Sequence, residues 1–77
     1  MTIEQMRAIH QANPFQPFTI HLADGRSIRV SHNQQMSMSP SGRTCIVYRH
    51  DDSFEIVDLL LVTTLEVHAG PSGNGQA

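Results

Sequence analysis

Five histidines are the residues of this sequence best suited to bind a metal ion, because neutral imidazole is a common metal ligand. They follow one another at intervals of 11 to 18 residues. Two ligands on one helix face stand three or four positions apart, so this spacing contains no metal-binding motif. We therefore predict no metal site and no cofactor. The five residues are His10, His21, His32, His50 and His68.

The candidate nucleophiles lack the neighbours that would activate them. Cys45 is the only cysteine and lies in the most apolar strand-like stretch, residues 45–48, where a buried thiol is a small, inert hydrophobic group. Ser41 belongs to a turn and lacks the glycine pattern of a nucleophile elbow. Asp51 and Asp52 stand in a polar loop. We therefore predict that the protein is not an enzyme.

The arginines offer one binding surface. Arg26 and Arg29 should lie with His21 on the outer face of a first hairpin, and Arg43 could extend this patch. Small barrels bind single-stranded nucleic acid through basic grooves lined with stacking aromatic side chains. Here Tyr48 is the only aromatic residue expected outside the core, and the net charge of −2 opposes attraction to phosphates.

An apolar run offers a second surface, suited to another protein. One strand of a small domain cannot bury all four side chains of this run, so part of the run should cover a subunit interface. The alternative is that a tight turn places these side chains in the core. The run consists of Leu59, Leu60, Leu61 and Val62.

A short helix should open the set of elements that position these residues. Thr2 and Gln5 have the spacing of a capping box, in which each side chain bonds the other's backbone N–H. The helix should end before Pro14, because the residue preceding a proline avoids the helical conformation. The sequence thus predicts a helix over residues 3–12.

A hairpin should follow over residues 18–30, and its register can be derived. A three-residue loop at 23–25 pairs Ile20 with Ile28 and keeps one face apolar. A two-residue loop would mix apolar and polar side chains on both faces, because a one-residue slip reverses every side chain. We therefore predict a type I turn that ends in a left-handed Gly25.

Four further strands are predicted from alternation and turn signals. The strand predicted at 43–49 is apolar on both faces, which indicates a central strand. Asp58 should cap a tight helical turn at 59–61. The phenylalanines should be core residues: Phe15, Phe18 and Phe54. The four strands cover residues 36–38, 43–49, 54–57 and 63–67.

The order of these elements resembles that of Sm-like and SH3-like small barrels over roughly residues 3–67. The resemblance implies an α+β, mainly β fold: a short N-terminal helix, then a five- or six-stranded bent antiparallel sheet or small barrel. The segments PFQPFTIHLADGR, SPSGRT and DLLLVT resemble a family of small bacterial proteins of unknown function. That second resemblance implies a bacterial source and assigns no activity.

Length and composition complete the expectation. We predict a single domain over residues 1–68 and a disordered glycine-rich tail over 69–77. A domain shorter than about 80 residues usually needs a disulfide, a metal or a partner subunit, and one cysteine cannot form an internal disulfide. The chain has no apolar run long enough to cross a membrane and no signal peptide, which predicts a cytoplasmic protein.

The sequence therefore favours a non-enzymatic protein-interaction module that forms a homo-oligomer or binds another protein. A small nucleic-acid-binding barrel that uses Arg26, Arg29 and Arg43 is the alternative. A contiguous arginine patch would favour nucleic acid, whereas a patch interrupted by Asp24 and Glu55 would favour protein.

Overall fold

Helix α1 (Ile3–His10) begins at the predicted capping box. In this computed structural model, which describes residues 2–68, the Gln5 N–H donates to Thr2 Oγ1 and the Thr2 N–H donates to Gln5 Oε1, both at 3.2 Å. Met6 is the fully buried residue of the helix. The helix ends two residues earlier than predicted. The expected tail at 69–77 lies outside the described residues.

Six strands follow the helix, with a single turn of 3-10 helix before the third strand and another before the last. The first of these turns is η1 (Asn33–Gln35) and the second is η2 (Leu59–Leu61). The strands are β1 (Phe18–Leu22), β2 (Ser27–Val30), β3 (Met36–Met38), β4 (Thr44–Tyr48), β5 (Phe54–Asp58) and β6 (Val62–Val67).

The first sheet has the strand order β2-β1-β6 and is antiparallel throughout. Ile20 pairs with Ile28, so the register derived from the sequence is confirmed. The Leu22 N–H donates to the Arg26 carbonyl at 2.9 Å and the Gly25 N–H donates to the Leu22 carbonyl at 3.0 Å. Gly25 has φ +92°, the left-handed conformation that this hairpin loop requires.

The second sheet has the order β3-β4-β5 and is also antiparallel. Strand β4 is central, as its two apolar faces indicated. The turn before it closes with a bond from the Gly42 N–H to the Ser39 carbonyl at 2.9 Å. Asp58 caps η2, because its Oδ1 accepts from the Leu60 N–H at 2.9 Å. These contacts fix the start of β4 and the end of β5.

The mainly β class, the N-terminal helix and the six strands are confirmed. Within residues 2–68, however, the strand pairs form two separate sheets instead of one continuous bent sheet, and they do not close a barrel. The reason is local: η1 interrupts the chain between β2 and β3, so these two strands cannot run as one long bent strand shared by both sheets.

One hydrophobic core joins the helix and the two sheets. The hairpin turn is tied to η2 by a bond from the Ala23 N–H to the Leu61 carbonyl at 2.8 Å. Gly42 is buried where α1 reaches the turn before β4. The largest fully buried side chains are Phe18, Met6, Ile20, Val30, Val47 and Cys45.

Candidate protein-interaction surface

The outer face of the β4–β5 hairpin is apolar. Inward positions alternate with outward ones along a strand, so Cys45, Val47 and Val57 enter the core while their neighbours point away from it. Cross-strand pairing sets Ile46 beside Ile56 and Tyr48 beside Phe54. We call this surface the β4–β5 face and define it by four residues: Ile46, Tyr48, Phe54 and Ile56.

The exposure of this face is large for apolar side chains. Ile56 is 67% exposed, Phe54 54% and Tyr48 42%, and Ile46 is partly buried between them. The Tyr48 and Phe54 rings are tilted by 52° with centroids 6.1 Å apart, within the range of favourable aromatic pairs. The face is therefore an ordered apolar surface open to solvent.

The prediction that Phe54 is a core residue is wrong. Phe54 lies three residues before the buried Val57, and positions an odd number apart in a strand face opposite sides. Phe54 therefore points outward wherever Val57 points inward. Tyr48 accordingly has an aromatic neighbour at the surface, which the sequence reasoning missed.

The apolar run divides between core and surface. Leu59 and Val62 are 4% and 3% exposed, whereas Leu60 and Leu61 are 80% and 51% exposed. A single 3-10 turn sends consecutive side chains in different directions, so η2 cannot bury all of its leucines. Leu60 lies at the rim of a groove of about 300 Å³ between α1 and the turn before β4, with Ile3 and Arg43 among its lining residues.

Acidic side chains interrupt the proposed arginine patch. Arg26 Nε donates to Asp24 Oδ2 at 2.8 Å, and Arg26 Nη1 donates to Glu55 Oε1 at 2.8 Å. Arg49 Nη2 lies 2.6 Å from Glu55 Oε2. The backbone N–H and the guanidinium of Arg26 hold the pKa of the Asp24 carboxyl below its ordinary value. Arg26 is thus engaged by carboxylates.

The other two candidate arginines belong to different parts of the fold. Arg29 stands opposite Thr19 on the outer face of the first sheet, and Arg43 precedes β4 beside the groove. For neither guanidinium does an ion pair occur among residues 2–68. The recorded contacts therefore bring Arg26 together with carboxylates and not with Arg29 or Arg43.

The outer face of the first sheet carries a hydrogen-bonded series that sequence reasoning missed. Ser27 Oγ lies 3.1 Å from His21 Nδ1, and His21 Nε2 lies 3.0 Å from Glu66 Oε1. The bond to His21 lowers the pKa of the Glu66 carboxyl. The strand pairing β2-β1-β6 brings these three residues together from distant parts of the sequence.

A serine, a histidine and a carboxylate in series can activate a nucleophile. Here the His21 and Glu66 side chains are 36% and 57% exposed, and water weakens the electrostatic stabilisation that catalysis needs. Burial raises the pKa of the Cys45 thiol to about 11, which leaves it protonated at neutral pH. In the part of the chain that is described, no three histidine, cysteine or acidic side chains are grouped so as to hold a metal ion.

Comparison of the chain with protein-family models, curated proteins and solved structures gave no match. No helix within residues 2–68 combines the length and apolar character needed to cross a membrane.

Proposed function

We propose that this chain is a non-enzymatic protein-interaction module that associates with a second copy of itself through the β4–β5 face. The observation that carries the proposal is the exposure of Tyr48, Phe54 and Ile56 side by side on one hairpin. We also propose that the domain is a small module of the SH3-like or Sm-like kind. The 3-10 turn before the last strand and the order of helix and strands support this comparison.

The size of the face supports a role in association. From their exposed fractions, Tyr48, Phe54 and Ile56 together present on the order of 300 Å² of side-chain surface. A patch of this size is comparable to the largest apolar patch on a typical monomeric protein, which often has a functional role. Covering the patch removes apolar surface from water, which favours association by about 25 cal/mol per Å².

The two sheets differ in what their outer faces present. The outer face of the first sheet exposes polar side chains to solvent, and polar side chains are stable there. They are His21, Ser27, Arg29 and Glu66. The outer face of the second sheet exposes two aromatic rings and an isoleucine to solvent. This difference favours the second sheet as the surface that a partner covers.

Nucleic-acid binding is the weaker alternative. Phosphate binding requires arginines that are free to replace counterions, but Arg26 is bonded to Asp24 and Glu55. The exposed aromatic pair Tyr48–Phe54 could stack on bases, but Glu55, on the other side of β5, engages both Arg26 and Arg49. An interrupted patch was the feature expected of a protein-binding module.

Light scattering coupled to size-exclusion chromatography tests the proposal. The wild-type chain should change from monomer to dimer as its concentration rises. Ile56→Ser should raise the dissociation constant by a factor between about ten and about a thousand, set by how much of the side chain is covered, because the two copies together lose up to about 4 kcal/mol of apolar burial. Arg29→Ser, on the outer face of the first sheet, is the matched control and should leave the constant unchanged.

Two further outcomes decide between the candidate surfaces. Leu60→Ser should weaken the dimer only if η2 borders the interface, and circular dichroism should show that each variant is folded. A wild-type chain that stays monomeric at every concentration, or an Ile56→Ser variant that dimerises as wild type does, would contradict the proposal. Salt-sensitive binding of a single-stranded oligonucleotide, lost on Arg29→Ser, would support the nucleic-acid alternative instead.

A further inference from the structure

Within residues 2–68, strand β5 is the last strand of the second sheet and has no neighbour on its outer edge. The hydrogen bonds at its two ends show which of its residues face β4. The Arg49 N–H donates to the Ser53 carbonyl at 2.8 Å, and the Leu59 N–H donates to the Arg43 carbonyl at 2.9 Å. In an antiparallel pair, alternate residues bond to the partner strand. Residues 53, 55, 57 and 59 therefore direct their backbone groups toward β4.

The residues between them direct their backbone groups away from β4. Phe54 and Ile56 accordingly present their N–H and C=O groups at the edge of the second sheet, where β5 is the last strand. Within residues 2–68 no backbone or side-chain partner is recorded for these groups. The same two residues carry the most exposed side chains of the β4–β5 face. The β4–β5 face therefore extends to the outer edge of β5.

We propose that β5 pairs antiparallel with β5 of a second copy, so that the two second sheets become one six-stranded sheet. This proposal rests on the self-association proposed above and places the contact at the edge of the β4–β5 face, where Phe54 and Ile56 meet the second copy and the two faces join into one apolar surface. An antiparallel pair of identical strands has twofold symmetry, which closes the assembly at a dimer. The added main-chain bonds supply affinity, and the outward side chains set the register.

The side chains select one register. The exchanged bonds must join residues whose backbone groups point outward, which allows a twofold axis at Glu55, Ile56 or Val57. An axis at Glu55 sets Phe54 opposite Ile56 of the second copy, which is a favourable aromatic–aliphatic pair. An axis at Ile56 sets Phe54 opposite Asp58 of the second copy. An axis at Val57 sets Ile56 opposite Asp58 of the second copy. The first register keeps apolar side chains together.

The chosen register also brings the two Glu55 side chains face to face on the inner side. Like charges directly opposite each other destabilise a sheet. Each Glu55, however, is already paired with Arg26 and with Arg49. Four guanidinium groups would therefore surround two carboxylates at the axis, and the local charge does not oppose pairing.

The small exposed area of the three side chains also favours strand pairing. A stable interface buries about 800 Å² on each partner, more than twice the surface that the three exposed side chains offer. Contact through these side chains alone would be too small. Pairing along β5 covers the flanks of Phe54 and Ile56 at the edge and adds backbone area and four main-chain hydrogen bonds. The resulting dimer lies at the small end of interfaces, so it should be reversible and depend on concentration.

Amide hydrogen exchange of the wild-type chain, followed by NMR at low and high protein concentration, tests the pairing. The N–H groups of Phe54 and Ile56 should exchange at least tenfold more slowly at the concentration where light scattering reports a dimer. The N–H groups of Glu55 and Val57, which bond to β4 in either state, are the internal controls and should be protected at both concentrations.

The outcomes separate the two proposals. A dimer in which Phe54 and Ile56 exchange as fast as in the monomer would overturn strand pairing and leave self-association standing. A chain that never dimerises would overturn both. In a mixture of isotope-labelled and unlabelled chains, the contact between the Phe54 ring and the Ile56 methyl groups of the second copy should be stronger than any Ile56–Ile56 contact, which is diagonal in this register. The reverse order of intensities overturns the register.

Discussion

Replacing Gly42 with alanine should destabilise the domain more than the same replacement at Gly25. Both glycines have positive φ, +76° at Gly42 and +92° at Gly25. A Cβ atom at Gly42 would lie 1.5 Å from Ile3 Cδ1 and 2.3 Å from Ile3 Cγ1, whereas nothing lies within 4 Å of a Cβ at Gly25. The two variants therefore share backbone strain and differ in a steric clash.

The magnitudes can be estimated separately. Alanine at positive φ costs roughly 1 kcal/mol, which is the whole effect expected at Gly25. At Gly42 the Ile3 side chain must also move out of a partly buried position, which adds about 1–3 kcal/mol. Because 1 kcal/mol lowers the melting temperature of a domain this small by about 4–8 °C, Gly42→Ala should cost roughly 10 °C or more.

Thermal and urea denaturation followed by circular dichroism provide the assay. The double variant Ile3→Ala, Gly42→Ala should be less destabilised than the sum of the single variants, because Ile3→Ala removes the two closest atoms. Equal losses of stability at Gly25 and Gly42 would refute the reasoning. So would strictly additive effects of Ile3 and Gly42, because they would mean that α1 does not pack on the turn before β4.

Two further predictions concern local contacts. Asp58→Ala should lower the free energy of unfolding by about 1 kcal/mol, because the Leu60 N–H loses its cap. Urea denaturation measures this loss, with Asp58→Asn as the conservative control. Equal losses in the two variants would contradict the prediction. In His21→Ala, the pKa of Glu66 should rise toward its ordinary value, because the bond that lowers it is gone; an NMR titration that shows no rise would contradict this.

The lowered pKa of Glu66 determines the direction in which this residue makes stability depend on pH. Its pKa is lower in the folded chain than in the unfolded one, so the unfolded chain binds the proton more tightly. The contribution of the His21–Glu66 pair is therefore present above the ordinary pKa of a glutamate. It is lost as the pH falls through the lowered pKa of the folded state, and both side chains are exposed enough that the effect stays small.

The parts of the fold that local rules determine were predictable. The register of the first hairpin followed from keeping Ile20 and Ile28 on one face, and the cap at Asp58 followed from its place before the leucines. Both depend on residues close in sequence. The separation into two sheets was not predictable in this way, because it depends on whether η1 breaks the chain, and that is decided by packing.

The candidate surface was predictable only in part. Exposed Leu60 and Leu61 belong to the predicted apolar run. The β4–β5 face was not predicted, because two apolar faces indicate a central strand but do not show whether its outer face is covered. Strand β4 is central within its sheet, yet only its inner side meets the core. The position of Phe54 three residues before Val57 was the available signal, and alternation alone gives its direction.

The β4–β5 hairpin encodes two different properties at alternating positions of one short stretch, residues 46–56. Inward positions such as Val47 contribute to the core, while outward positions such as Ile56 contribute to the face. Substitutions at outward positions therefore change the exposed surface and leave the core contacts of the hairpin in place. Because the stretch is contiguous, a few neighbouring codons encode the whole β4–β5 face, while the rest of the gene encodes the scaffold.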